Sequence, residues 1–279
     1  MIDTLLTQWM SLSDQLHPPT WDLENGLLRA WWFDPLSATV FFGIFINWYW
    51  YEERKRGLST NNHFYETVTV GLGPLYSSLV AYWIGLYIWK CFIPPAASII
   101  PDGIPTDTTS FLYLLSEIVS GIILYDAVFF FLHWAMHEVP GLRHLHARHH
   151  EQQHVEARDV LRHSIVDGSL QVLVNILVQR STPWGVAKTR LARFLHNMIV
   201  IWMLTESHTA SPSPNIWRRF LVGVREHRLH HRGDDHRGHL SGYGRYHRHQ
   251  QFFGYLDNAR AMMAQVIVVR SDAIGRKEL

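Results

Sequence analysis

Histidine is the residue type in this chain whose number and spacing suggest chemistry. The chain has 19 histidines, and 17 of them lie between His133 and His249. Three short groups repeat a spacing of three or four residues, which places side chains on one face of a helix. The groups are His133 and His137 in HWAMH, His146, His149 and His150 in HARHH, and His227, His230 and His231 in HRLHH. Eight imidazoles are enough ligands for two metal ions, so the pattern predicts a dinuclear metal site.

The ligand type narrows the choice of metal only partly. Imidazole binds iron, copper, zinc and nickel alike. Soluble di-iron proteins use two Glu-x-x-His motifs on bundle helices, whereas this chain has one such match, Glu151 with His154, so that class does not fit. A site made almost entirely of histidine leaves the metal charge poorly neutralised, which would favour a strongly oxidising chemistry with oxygen.

Long apolar segments must position these histidines. Residues 36–51 and 67–89 carry no charge, and residues 109–132 form a third apolar run that contains Glu117 and Asp126. Segments of this length and composition are typical of membrane helices. Two shorter apolar stretches within residues 165–208 predict a hairpin that enters the membrane, or its surface, and returns.

The predicted fold is an all-α, multi-pass membrane helical bundle with a cytoplasmic, histidine-rich helical cap that holds a dinuclear metal site. We expect three regions. An N-terminal membrane region at 1–108 contains helices at about 36–51 and 67–89. A histidine-box catalytic region at 109–257 contains the membrane helix 109–132 and the short hairpin 165–208, and a C-terminal tail follows at 258–279.

Charge predicts the orientation of the chain in the membrane. Residues 1–132 contain 5 Lys and Arg against 12 Asp and Glu, whereas residues 133–279 contain 20 against 12. The positive-inside rule places residues 52–66, and residues 133 onward, on the cytoplasmic side. We therefore expect an integral membrane protein with a cytoplasmic catalytic face, in the endoplasmic reticulum of a eukaryote or the inner membrane of a bacterium. The net charge of +1 argues against a nucleic-acid partner, and the single cysteine, Cys91, excludes an internal disulfide.

Two carboxylates are candidates for a role at the site. Asp126 lies seven residues before His133, two helical turns away on the same side. Acidic residues inside membrane segments are costly and usually functional, so Asp126 is expected to orient a ligand imidazole by accepting its hydrogen bond. Glu206 is a similar candidate. The alternative for each is a role in packing one helix against another.

The order and spacing of the histidine groups resemble the fatty acid hydroxylase/sterol desaturase superfamily of membrane di-iron oxygenases. Several flanking segments are also similar to motifs of that superfamily, most closely to those of alkylglycerol monooxygenase-like members. They are the stretch from Asp126 to Pro140, LRHS at 161–164, LTESHTASP, HLSGYG and FFGYLD. The resemblance covers roughly residues 115–257. The chain departs from the pattern at Gly242, where Asn is expected, and at Gln250-Gln251, where Trp-Asp is usual.

The resemblance implies a site, cofactors and partners. Two iron ions, which zinc can replace in purified protein, would be held by the eight histidines of the three groups, with His208 as a ninth ligand. O2 would be the co-substrate, and a redox partner protein such as a cytochrome or ferredoxin would supply electrons. The substrate would be a lipid (a fatty acyl chain, sterol, ether lipid or carotenoid) that is hydroxylated or desaturated. His163, His236, His239, His247 and His249 have no assigned role.

A different enzyme class also matches part of the second group. His150-Glu151-Gln152-Gln153-His154 is a His-Glu-x-x-His sequence, in which the glutamate of a zinc metalloprotease acts as general base. A membrane zinc metalloprotease is therefore the alternative prediction, although it leaves the first and third groups without a purpose. A metal transporter or store is a third class, but its ligands should lie within the membrane segments.

Overall fold

The computed structural model describes about half of the chain, and every regular element in the described part is helical. The described residues are 30, 32–58, 80–89, 91–92, 104–147, 149–150, 156–180, 188–209, 252–260 and 262–263. The helices are α1 (Phe33–Lys55), α2 (Val80–Trp89), α3 (Thr108–Glu138), α4 (Pro140–His146), α5 (Ile165–Gln179) and α6 (Arg190–Ser207), with a 3-10 turn at Ala157–Leu161. Residues 255–260 are also helical. The all-helical prediction is confirmed for these residues.

Side chains that accept hydrogen bonds from free backbone N–H groups fix the helix starts. The Asp107 carboxylate, directly before α3, accepts the Ser110 N–H at 2.9 Å and the Ser110 hydroxyl at 2.7 Å. These hydrogen bonds to its charged form lower the pKa of the Asp107 carboxyl. The Ser164 hydroxyl accepts the Asp167 N–H at the start of α5, and Pro140 occupies the first turn of α4, where its missing N–H costs nothing.

The C-terminus of α1 is closed by a glycine in the left-handed region. Gly57 has φ 68°, which a residue with a Cβ adopts only with strain. The Leu58 N–H donates to the Glu53 carbonyl at 2.9 Å, and the Gly57 N–H donates to the Arg54 carbonyl at 3.0 Å. This is the Schellman arrangement, so α1 ends within the charged run that follows the apolar segment.

By its internal contacts the chain divides into two units. The first comprises Met1–Trp48, Asn62–Tyr125 and Leu161–Trp202, and the second comprises Tyr49–Asn61, Asp126–Val160 and Met203–Leu279. The apolar core of the first unit includes a cluster of buried side chains from α1, α2, α5 and α6, namely Ala38, Tyr82, Leu86, Ile176 and Ile201. Asn197 of α6 accepts a hydrogen bond from Asn175 of α5 at 3.2 Å and donates one to the Tyr82 hydroxyl at 2.9 Å. These amide contacts specify how the three helices pack within this unit.

One helix in the described part of the chain, α3, is long and apolar enough to cross a membrane. The helices α2 and α5 are apolar but shorter. Large apolar side chains are exposed on α3, among them Leu115, Val119 and Phe131. Residues 67–79 of the second predicted span lie outside the described residues.

Candidate metal centre

His133 and His137 lie one turn apart because α3 continues to Glu138, six residues beyond the end of the apolar run at Leu132. Their Nε2 atoms are 3.1 Å apart. His133 is buried, and its ring contacts Phe129 of the preceding turn, with 5.5 Å between ring centroids. The predicted placement of this pair on one helical face is confirmed.

The second histidine group lies at the end of α4 and in the turn that follows it. His146 is the last residue of the seven-residue helix. The His149 N–H donates to the His146 carbonyl at 2.9 Å, and the His150 N–H donates to the Ala147 carbonyl at 3.0 Å, so the chain turns tightly here. This turn brings the Nε2 atoms of His146 and His150 to 3.0 Å from each other.

The prediction that His146, His149 and His150 share one helical face is wrong. The helix ends at His146, and His149 lies in the tighter turn that follows, with its ring centroid 5.4 Å from that of His146 and 5.6 Å from that of His150. The His149 Nε2 atom lies 3.3 Å from Nε2 of His208, a residue 59 positions later in the chain. The second group therefore supplies ligand atoms to two adjoining clusters, which meet at the ring of His149.

Four histidines form the first of these clusters. One ligand atom from each of His133, His137, His146 and His150 lies within 4.8 Å of the other three. For metal–nitrogen bonds of about 2.1 Å, two ligands are about 3.0 Å apart at a right angle and about 3.4 Å apart at the tetrahedral angle. The Nε2 distances of 3.1 and 3.0 Å within this cluster are in or near that range. A hydrogen bond from the N–H of one ring to the nitrogen of the other would explain the short distance within either pair. It would not explain why the pair His133 and His137 lies next to the pair His146 and His150. The donor set fits a metal ion that prefers imidazole.

His149 and His208 form the second cluster. The Nδ1 atom of His208 lies 2.7 Å from the Leu204 carbonyl oxygen, so Nδ1 carries the proton and donates it. The lone pair of His208 is then on Nε2, which faces His149. Metal-binding imidazoles are commonly oriented by such a hydrogen bond to a backbone carbonyl. Both histidines are buried, so water is largely excluded from this pair.

The third histidine group lies outside the described residues, and so does part of the protease-like sequence. His227, His230 and His231 fall within residues 210–250, and Glu151 and His154 fall within residues 151–155. The contribution of these residues to the metal centre stays a prediction. The unassigned histidines between His236 and His249 also lie in that region.

Asp126 is completely buried and fixes a distant part of the backbone. Its Oδ1 atom accepts the Phe252 N–H at 2.8 Å, and its Oδ2 atom accepts the Phe253 N–H at 3.1 Å. The next residue, Gly254, has φ 74°, so the chain turns sharply where the carboxylate holds it. Asp126 thus connects α3 to the segment that follows the third histidine group. Its predicted hydrogen bond to a ligand imidazole stays a prediction.

Glu206 is also buried, in the last turn of α6 and two residues before His208. Its backbone carbonyl accepts the Thr209 N–H at 3.1 Å and the Thr209 hydroxyl at 2.8 Å. These bonds close the helix end from which His208 projects. A direct role of the Glu206 carboxylate in catalysis stays a prediction.

Sequence reasoning left two buried polar groups in the first unit without a role. The His163 Nδ1 atom lies 3.2 Å from the Asp167 carboxylate, which also accepts the Gln171 side-chain amide at 2.8 Å. The other group contains Lys188 and His196, both fully buried. The sequence QRSTPWGVAKTR around Lys188 indicates only a turn, so no local signal identifies this lysine as buried.

Comparison with known families identifies the chain. The model of the fatty acid hydroxylase family matches residues 118–258, which is 141 of the 279 residues. This range includes all three histidine groups, His208, Asp126 and Glu206. Searches of curated proteins and of solved structures give no match. Because the matched range covers half of the chain and contains every residue of the candidate centre, the chain belongs to the fatty acid hydroxylase family, whose members are membrane-associated oxidoreductases that act on lipids.

Proposed function

We propose that the protein is a membrane-bound di-iron oxygenase that uses O2 and external electrons to hydroxylate or desaturate a lipid-like substrate. The observation that carries this proposal is the convergence of four histidine ligand atoms within 4.8 Å, beside a further facing pair, His149 and His208. The substrate would be a fatty acyl chain, a sterol, an ether lipid or a carotenoid.

Nine histidines would hold the two ions: His133, His137, His146, His149, His150, His208, His227, His230 and His231. Bound iron would supply the activation of O2 and the oxidation of an unactivated C–H bond. The chain itself holds the ligands in place: α3 fixes His133 and His137, and the turn after α4 fixes His146 and His150. The Leu204 carbonyl selects the tautomer of His208 that has a free Nε2 lone pair. His133, His146, His149 and His208 are buried, which would limit the access of water to the metal centre.

We further propose that α3 crosses the membrane and that the metal centre is on the cytoplasmic side. The length and composition of α3 support a span, and the basic run at the end of α1 supports the orientation. The excess of positive charge in residues 133–279 would attract an acidic electron-transfer protein, such as a cytochrome or ferredoxin.

Cysteine labelling tests the orientation. In a Cys91→Ser background, a cysteine at exposed Arg56 and one at exposed Thr106 should react with a membrane-impermeant reagent from opposite sides of the membrane. Reaction from the same side would contradict the proposed topology.

Metal content tests the proposed centre. Purified protein should hold two metal ions per chain, and a variant with His146, His149 and His150 all replaced by Ala should lose them. His144→Ala is the matched control, because His144 is an exposed residue of the same helix and should not affect metal content. Stoichiometry is the informative quantity, since zinc can occupy an iron site. Retention of both ions by the triple variant would refute the ligand assignment.

The protease alternative has a separate test. A protease would use Glu151 as its general base, so Glu151→Gln would abolish peptide hydrolysis, whereas an oxygenase should keep O2-dependent lipid oxidation. His150 of the protease-like sequence lies in the cluster with His133, His137 and His146, which supports the oxygenase. One ion per chain together with peptide hydrolysis would favour the protease.

A further inference from the structure

The two histidine pairs of the first cluster belong to different helices, so their approach depends on the joint between those helices. His133 and His137 lie on α3, whereas His146 ends α4 and His150 lies in the turn after it. The rings of the two pairs interlock, because the ring centroid of His137 lies 4.9 Å from that of His146 and 5.0 Å from that of His150. A contact that fixes α4 against the end of α3 therefore also fixes the spacing of the four ligand atoms.

The joint between α3 and α4 interrupts the helical hydrogen bonding of the backbone. Val139 is extended, with φ −85° and ψ 118°, and its side chain makes no capping hydrogen bond at the start of α4. Pro140 has no N–H that could donate to the Met136 carbonyl, one turn earlier. The last carbonyls of a helix have no partners in a following turn. The direction in which α4 leaves α3 thus depends on side-chain contacts across the joint.

Arg143 of α4 makes a contact of this kind. Its Nε atom donates a hydrogen bond to the His137 carbonyl oxygen at 2.6 Å. His137 lies in the last turn of α3, and Arg143 lies three residues before His146 on α4. A cation that donates to a carbonyl at a helix C-terminus caps the helix and is favoured by the negative end of the helix dipole. The guanidinium therefore connects the helix that carries His146 to the backbone of His137.

Backbone hydrogen bonds continue this connection into the turn that holds the other ligands. The Arg143 carbonyl accepts the Ala147 N–H at 2.9 Å, and the Ala147 carbonyl accepts the His150 N–H at 3.0 Å. Arg143 itself is exposed, so its side chain can be shortened or replaced without leaving a cavity in the core. Its loss should therefore affect the position of α4 more than the stability of the fold.

We propose that Arg143 is a positioning residue of the metal centre, which sets the distance between the pair His133 and His137 and the pair His146 and His150 by binding the His137 carbonyl. A guanidinium has hydrogen-bond donors and no acceptor lone pair, so Arg143 acts through the backbone and not as a ligand. The role in metal binding rests on the proposed function, whereas the orientation of α4 by Arg143 does not.

Cobalt binding tests this role without any assay of activity. Metal-free full-length protein in detergent is titrated with Co²⁺ against a competing chelator, and the visible absorption of bound Co²⁺ reports its coordination. Loss of an outer contact typically weakens metal binding by about 10–100-fold, and an exposed contact should contribute less. Arg143→Gln should therefore weaken Co²⁺ binding roughly three- to tenfold and alter the absorption spectrum. Arg143→Lys keeps a cation that can donate to the carbonyl, and should retain most of the affinity.

Arg56→Gln is the matched control for the loss of an exposed arginine. Arg56 follows the C-terminus of α1 and lies 3.7 Å from the Glu52 carboxylate. This variant should bind Co²⁺ like the wild type, and the metal-free forms of all three variants should unfold at the wild-type temperature. Wild-type affinity in Arg143→Gln, or an equal loss in Arg56→Gln, would overturn the proposal.

Hydrogen exchange of the metal-free protein measures the position of α4 separately. The amides of residues 139–147 should exchange faster in Arg143→Gln than in the wild type, whereas those of α1 should not change. Unchanged exchange at the joint would overturn the proposal, and so would faster exchange with wild-type Co²⁺ affinity, since the contact would then be only local. A wild-type protein that binds no Co²⁺, but whose exchange at the joint depends on Arg143, would refute the proposed metal centre and not the hold of Arg143 on α4.

Discussion

Asp126 provides the most quantitative prediction, because its carboxylate satisfies two backbone groups far along the chain. Asp126→Ala leaves the Phe252 and Phe253 N–H groups without their acceptor. An unsatisfied buried donor costs about 1–3 kcal/mol. Phe252 is fully buried and should incur the full cost, whereas water can reach the half-buried Phe253 and reduce its share. We therefore expect a loss of about 2–4 kcal/mol in the free energy that holds residues 252–260 in place.

Limited proteolysis in detergent, together with thermal unfolding, measures this effect. Asp126→Ala should be cleaved around residues 252–260 under conditions that leave the wild type intact, and it should unfold at a lower temperature. Asp126→Asn should be intermediate, because it keeps one acceptor oxygen but turns an amide donor toward the second N–H. Asp107→Ala removes a carboxylate next to the same helix without touching this segment, and serves as the control for the cleavage pattern. A wild-type cleavage pattern for Asp126→Ala would show that the two hydrogen bonds do not hold the segment.

Three further predictions concern the metal centre and the packing of the first unit. His208→Ala should lower the metal content toward one ion per chain, while His144→Ala leaves it unchanged; equal metal content in both variants would remove His208 from the ligand set. Thr189→Val deletes the hydroxyl that donates to Glu117 at 2.7 Å, and should destabilise the protein by about 1–3 kcal/mol. Chemical unfolding in detergent measures this loss, and Thr189→Ser should retain most of the stability. Removal of bound metal with a chelator should lower the unfolding temperature, and readdition of metal should restore it, because a ligand that binds only the folded state stabilises that state. An unchanged unfolding temperature would mean that the site does not hold metal.

Local spacing predicted the first histidine group but not the second. In HWAMH the helix continues, so residues four positions apart necessarily lie one turn apart. In HARHH the same rule fails because α4 ends at His146 and a tighter turn follows. His149 faces His208, which is distant in sequence, and no local pattern contains that information.

The buried cluster around Lys188 shows another limit of sequence patterns. A lysine in a polar connection is usually exposed, and its neighbours in sequence give no reason to expect otherwise. It is buried because Gly121 leaves room for it and because Thr189 is bound by Glu117, both of which come from α3. Contacts between segments 67 or more residues apart in sequence decide its environment. The all-helical class, by contrast, follows from long apolar runs that are local in sequence.

Three of the candidate ligands lie at helix C-termini, and this has an electrostatic consequence. His137 lies in the last turn of α3, His146 is the last residue of α4, and His208 directly follows α6. A helix C-terminus carries up to roughly half a negative charge from its aligned peptide dipoles, so these ends would offer a negative potential to any bound cation. A histidine site that looks uncompensated by residue type alone would therefore receive part of its neutralisation from the backbone. Because this negative potential is fixed, it would favour the more oxidised state of the metals and lower their reduction potential.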